Sequence, residues 1–510
     1  MNAPLTDFAR LTNGQAVEID RVPVLDLSRF HASIAAGVHA GCRVSALFGA
    51  VSSHQGKTRL YAVLSDDEHN LLLAAAADVA SDAYPSLTPQ CAQVHLFERE
   101  IAEQFGVRPE GHPWLKPVRY RRSWTGRDAW QRPAGEAILP AVGDFYRVEG
   151  EQVHEVAVGP VHAGVIEPGH FRFQCHGEQV FHLEIALGFQ HRGIEEMLLG
   201  GPDARTIHLV ETLSGDATVA HATAYSQISE ALAGRAASAR GQALRGVALE
   251  LERMATHIGD LGALAGDVGY LPTASFCGRI RGDVLNMTAL LCGSRFGRGL
   301  VRPGGVGFDV DAKRLAELGR RLDTCEKDAR VAIELLWKTP SVMARFEEVG
   351  TVPREVAVEL GLVGPAARAA GLERDIRRDQ PCGIFCFSQI PVATCEAGDV
   401  FARAYVRWLE IQYAIAFIRD QLHALPGGAA RMPVGTYAPE RFAVALTEGL
   451  RGEVCHVAIT DAHGRFARYK VVDPSFHNWT GLAYALRDQE ISDFPICNKS
   501  FNLSYCGHDL

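Results

Sequence analysis

Five histidines, His176 among them, crowd one stretch of this 510-residue chain. His162, His170, His182 and His191 fall within GPVHAGVIEPGHFRFQCHGEQVFHLEIALGFQHRG, residues 159–193. Imidazole titrates near neutral pH, so it exchanges protons and ligates metals. A carboxylate and a further histidine follow in ETLSGDATVAHATAY, from Glu211 to Tyr225. There are 12 cysteines, and none stand as Cys-x-x-Cys, the spacing that lets one chain turn hold two sulfurs on a metal. Without such pairs, cysteines in a large chain are mostly buried small hydrophobes. The side chains favour proton exchange over thiolate ligation.

GPVHAGVIEPGHFRF followed by HRGIEE resembles the large-subunit family shared by energy-converting nickel–iron hydrogenases of the formate hydrogenlyase type and the 49-kDa quinone-pocket subunit of complex I. Further blocks agree in order: HIGDLGAL, RPGGV (302–306), GDV-x-x-R from Gly398, and PSFHNWTGLAYAL from Pro474. Upstream, HLFEREIAEQFGVRPEGHPWLKPVRY (95–120) resembles the signature of the 30-kDa subunit of complex I. The chain therefore looks like a fusion of both parts, as in formate hydrogenlyase large subunits.

In the hydrogenases of this family, four thiolates in two Cys-x-x-Cys pairs hold the metals, since soft donors suit nickel and iron. The block E-R-V-C-G-I-C-G-F-A-H-S-T-A-Y matches here at Glu211, Gly215, Ala220, His221 and residues 223–225, with Ser214 and Ala217 at the ligand positions. The block S-L-D-P-C-Y-S-C-T-D corresponds to SFNLSYCGHD (500–509), with Ser504 and Gly507 at the ligand positions. Cys506 stands one residue out of register, and Cys497 lies further back. The resemblance thus implies no metal held by this chain and no nickel–iron hydrogen activation. Hydrogenase precursors of the family carry a tail removed after metal insertion, and this sequence stops three residues beyond Gly507. The quinone tyrosine of the complex I branch falls at Gly215, and its loop histidine falls at His170 or His162.

What remains is a polar set: His162, His170, Glu211 and His221 as candidate catalytic groups, with Arg192, Ser214 and Asp509 lining the pocket. It reads either as a proton-relaying site for a quinone or small redox carrier, or as a hydrogen-bond network in a non-catalytic coupling scaffold. His162 and Glu211 are expected to face one cavity. The resemblance implies an oxidoreductase subunit, with an iron–sulfur cluster in a small partner subunit and ion-pumping membrane subunits beside it. No phosphate loop marks a nucleotide site, so NAD enters only through the family's name.

The elements that position these groups are legible in part. Phe171, Phe173 and Cys175 alternate on one segment, and Phe181, Leu183, Ile185 and Leu187 on the next, around His176-Gly177-Glu178: a hairpin. EVCHVAITDAHGRFARYKVV reads as a second hairpin turning at residues 461–464. Phe97, Ile101 and Phe105 at i, i+4, i+8 predict a helix ending at Gly106, with Glu98, Glu100 and Glu103 off its apolar face. RVSALFGAVSS and TRLYAVLSDDE predict strands around a turn at His54–Lys57, and LLLAAAADVA predicts a helix. Residues 194–425 read as mostly helical, with Arg403 and Arg407 snorkelling from a helix. The expected fold is α+β: a 30-kDa-like α+β domain over 1–125, a linker over 126–150, and a mostly helical 49-kDa-like domain with small hairpins over 151–510.

Composition bounds the class. At 47% hydrophobic and 22% charged residues, a packed core is expected rather than disorder. A net charge of −9 argues against nucleic-acid binding. No run reaches the roughly 18 apolar residues of a membrane span, and MNAPLTDFARL has no signal-peptide pattern. The expected place is the cytoplasmic side of the inner membrane, as a peripheral subunit.

Overall fold

In the computed structural model, residues 3–51, 58–133, 135–162 and 166–510 are described; the turn expected at His54–Lys57 lies outside them. The N-terminal part is an antiparallel sheet in the order Ala9–Leu11, Leu71–Val79, Thr58–Asp66, Arg43–Val51, with Val24–Leu25 added parallel to Leu71–Val79. Leu27–His39 forms a helix; it starts where the Asp26 carboxylate accepts from Arg29 N, satisfying one orphan amide. His95–Phe105 is the expected helix, and Gly106 closes it at φ +66. LLLAAAADVA is a strand, not a helix. Both of its faces are covered, so the period-two signal vanishes and an alanine run mimics a helix former.

Four long helices carry the second part: Ala239–Asp267, Leu271–Cys292, Ala312–Trp337 and Val400–His423. Arg403 and Arg407 do not snorkel. Both are buried: Arg403 donates to Ser500 Oγ (2.8 Å) and Gly398 O (2.7 Å), and Arg407 pairs with Asp260 (3.0 Å). Their five-donor forks replace lost water with fixed acceptors. No helix among the described residues is long and apolar enough to cross a membrane.

Both hairpins form; the first gains one strand and the second two. Val153–Val158 lines up beside His170–His176, which pairs with Gln179–Ala186. Gln15–Glu18 crosses from the N-terminus to edge the sheet Arg441–Gly449, Gly452–Thr460, Phe466–Val472, placing Val17 opposite Phe442. One apolar core, including Phe48, Tyr61, Phe442 and Phe476, spans both parts.

Glu98, Glu100 and Glu103 are buried rather than solvated. Glu98 accepts from Leu87 N and Thr88 N, and Glu103 from Arg119 N and Arg121 N. Glu100 binds Lys470 Nζ at 2.6 and 2.7 Å, and Lys470 also holds Glu195 at 3.0 Å. The acidic helix is thus pinned to the last sheet by desolvated charge pairs. Between Glu110 and Val153 the described residues form no helix or strand.

Candidate functional site

Ser214 sits in the turn between the helices Thr206–Val210 and Thr218–Leu232. Ser504 caps the helix Tyr505–Asp509, accepting from Gly507 N at 2.9 Å. The two hydroxyls meet at 2.9 Å, both buried. The positions assigned from the two sequence blocks therefore converge on one point. Ala217 adds a buried methyl beside them. At Gly507 there is no room for a side chain: a Cβ there would stand 2.6 Å from Asp473 Cγ and Oδ2. Asp473 is itself the N-cap of Pro474–Ala485, accepting from Ser475 N at 2.8 Å.

Arg192 binds this centre from outside. It donates to Thr212 O (2.6 Å), Leu213 O (3.0 Å) and Cys506 O (3.1 Å), so one exposed guanidinium straps both segments together. Asp509 accepts from Gly188 N (2.8 Å) and Gln190 N (2.9 Å), tying the last helix to the turn after the hairpin. Asp216 accepts weakly from Ser214 Oγ (3.3 Å) and forms a two-pronged pair with Arg451 at 2.7 Å. Burial pushes the Asp216 carboxyl up, but Arg451 outweighs it and holds it below the usual carboxylate range.

The four candidate catalytic groups do not gather. His162 Nε2 lies 2.9 Å from Gly169 O, and His170 Nδ1 lies 3.3 Å from Gly159 O, so each ring ties one end of the loop to the other. Burial lowers the His170 pKa, favouring neutral imidazole. Glu211 pairs elsewhere: it accepts from Arg302 Nη1 (2.6 Å) and Gly299 N (2.7 Å), on the loop that carries RPGGV. No hydrogen bond or ring contact joins His162 to Glu211 among the described residues. His221 is wholly buried: its Nε2 is 3.1 Å from Asp473 Oδ2, and its Nδ1 is 3.1 Å from His456 Nε2. His456 Nδ1 continues to Tyr469 Oη at 2.8 Å. Sequence reasoning missed Asp473, His456 and Tyr469. Only the Asp-Pro-Ser cap signal before helix Pro474–Ala485 pointed toward Asp473.

The fold of the nickel–iron relatives implies a metal here, and the residues present do not fit one. At the four positions assigned from the sequence blocks stand two mutually bonded hydroxyls, a methyl and a hydrogen, none of them a soft donor. Burial pushes the Cys506 thiol up to about 11. Cys497 packs against Gly350, and burial likewise raises its thiol to about 12. Among the described residues, no group of three or more His, Cys, Asp or Glu side chains is placed to hold a metal ion.

A hairpin-fed helical core brings the turns carrying Ser214 and Ser504 face to face. The family model for the respiratory-chain NADH dehydrogenase 49 Kd subunit matches residues 267–439, and that for the 30 Kd subunit matches residues 26–133. Formate hydrogenlyase subunit 5 of Escherichia coli is 28% identical over 88% of this chain and 81% of its own length. Carbon monoxide-induced hydrogenase of Rhodospirillum rubrum is 31% identical over 68% of this chain and 97% of its own. NADH-quinone oxidoreductase subunit 4 of Thermus thermophilus is 27% identical over 67% and 90%. A chain of the archaeal membrane-bound sulfane sulfur reductase superposes with a TM-score of 0.67 at 21% identity, over 72% of this chain and all of that one, which shows the shared fold. The chain belongs to this family of hydrogenase and complex I large subunits, as a fusion of 30-kDa-like and 49-kDa-like domains.

Proposed function

We propose that this chain is the large subunit of a membrane-associated, ion-translocating oxidoreductase complex whose nickel–iron place is closed by protein side chains. The remaining polar site exchanges protons with a quinone or a small redox carrier. Electrons come from an iron–sulfur cluster in a neighbouring small subunit, and ion-pumping membrane subunits complete the assembly on the cytoplasmic side of the membrane. The observation that carries this reading is the Ser214–Ser504 bond, with Asp473 standing where a side chain at 507 would go. A complete thiolate set has no place to form around it. The exposed backbone at Gly215 and the exposed Arg192 guanidinium mark the face from which a carrier or the small subunit would approach. The quinone is suggested by the name of the NADH-quinone oxidoreductase relative.

A second reading, a coupling scaffold without chemistry, draws support from the saturation of Glu211, Arg192 and Asp509 by protein partners. Elemental analysis and quinone reduction by the purified complex test both. A nickel-free complex that reduces a water-soluble quinone favours the redox site; a nickel-free complex that assembles but turns nothing over favours the scaffold. Near-stoichiometric nickel, or hydrogen uptake with an artificial acceptor, overturns the shared premise.

A further inference from the structure

Asp473, His221, His456 and Tyr469 are bonded in series at 3.1, 3.1 and 2.8 Å, and all four are buried. One end touches the closed ligand place, where Asp473 fills the space beside Gly507. The other end meets a tyrosine cluster. Tyr225 bonds to Tyr437, its ring lies 6.4 Å from that of Tyr469 between centroids, and Tyr437 is only half-buried. Around the chain lie the apolar side chains of Phe466, Ala443, Ala458 and Val471, and off the series Asp473 also accepts from Ser475 N.

We propose that Asp473, His221, His456 and Tyr469 form a proton path joining the closed ligand place to the tyrosine cluster near the surface. It rests on the reading above in assuming that the site uses protons. A single carboxylate sets its polarity. Ionised Asp473 takes the His221 Nε2–H, which leaves His221 Nδ1 to accept from His456 Nε2–H, and His456 Nδ1 to accept from the Tyr469 hydroxyl. Every donor then has an acceptor with both rings neutral.

One added proton reverses the series without opening it. Tyr469 gives its proton to His456 Nδ1 and regains one from the tyrosine cluster. His456 Nε2 passes its proton to His221 Nδ1, making imidazolium beside Asp473. His221 Nε2 then protonates Asp473, whose neutral carboxyl delivers the proton to the site. One proton enters, one leaves, and no electrons move along the path; both rings end as Nδ1–H tautomers, and each must lose the Nδ1 proton and regain one at Nε2 before a second proton passes the same way.

The test uses the full chain with 15N-labelled histidine, His221 and His456 being assigned by substitution. The resting state requires the Nε2–H tautomer on both rings. Exchange of the His221 Nε2–H with solvent should slow by roughly tenfold or more in Tyr469→Phe and in His456→Gln, down to the rate set by local opening of the fold. Glutamine can bond to both neighbours but cannot relay a proton, so it supplies the readout even if the phenylalanine variant misfolds; melting curves report folding of each. Unchanged exchange in a folded variant, or Nδ1–H tautomers at rest, overturns the path. Slowed exchange with unchanged quinone reduction by the membrane complex upholds the path and overturns the reading of the site as proton-using.

Discussion

Ser214 Oγ and Ser504 Oγ stand 2.9 Å apart although 290 residues of chain separate them. Here a direct hydrogen bond bridges the two segments, and Arg192 reinforces it from the outside. The purified complex is therefore expected to hold no nickel by elemental analysis. Gly507→Cys should destabilise the fold by about 1–3 kcal/mol through overpacking against Asp473, measured by urea unfolding. A neutral or stabilising substitution would show that Asp473 can leave.

Lys470 is the only cation bonded to both Glu100 and Glu195 among the described residues. Lys470→Met strands two buried carboxylates whose other partners, Arg119 and Arg468, remain. Breaking a buried ion pair costs about 3–5 kcal/mol. A lowered unfolding midpoint of that size is expected, and a change below about 1 kcal/mol would place the seam's strength in its apolar contacts instead.

Glu211 and His162 should separate in mutagenesis. Glu211→Ala leaves the Gly299 amide and the Arg302 guanidinium without their acceptor, a loss of about 1–3 kcal/mol. His162→Gln gives up one bond to a carbonyl and should cost less than about 1 kcal/mol. If His162 acts as an acid or base, quinone reduction falls by roughly 10²–10⁴-fold with assembly intact. Equal stability losses in both variants would contradict this division.

Limited proteolysis should cut first within residues 126–150, where the described backbone has no helix or strand. The fragments should nevertheless co-elute, because Gln15–Glu18 remains paired with Arg441–Gly449 and one core spans the cut. Separation under native conditions would count against that shared core.

Burial pushes the Glu252 carboxyl up to about 8, although it accepts from Val219 N and Ala220 N. The folded chain then keeps a proton that the unfolded chain releases near 4.5, so this group's stabilisation is lost as pH rises from about 4.5 to 8. Glu448, raised to about 7, acts in the same direction. Urea midpoints should fall across that window, and Glu252→Gln should flatten the decline while leaving the part due to Glu448. An identical slope in the variant would show that Glu252 is already ionised.

Much of this was legible before the structure, and the pattern of what was not is physical. Phe97, Ile101 and Phe105 announced their helix because an apolar stripe alternates with charged residues, although the glutamates among them are buried too, and Phe171 through Leu187 announced their hairpin by alternation. Leu71–Val79 is covered on both faces and lost its period. The site was legible only as far as the blocks carried it: they put Ser214 and Ser504 at ligand positions, and their hydroxyls bond to each other, while the Glu211 carboxylate bonds to Arg302. Asp473, His456 and Tyr469 carry no local signal for their pairing, since strand register and a helix cap bring them together. Arg403 and Arg407 read as snorkelling charges because a sequence does not show which acceptors await a buried cation.

The pairing of Val17 with Phe442 also sets a timetable. A ribosome releases the first of these strands long before it makes the second. At ordinary rates of synthesis the gap is on the order of tens of seconds. During that wait Gln15–Glu18 has no sheet to join, and its brevity and its polar Gln15 and Glu18 make it a poor template for neighbouring nascent chains. The two sequence halves can begin to collapse while translation continues, but the edge that joins them closes only after the C-terminal strands emerge.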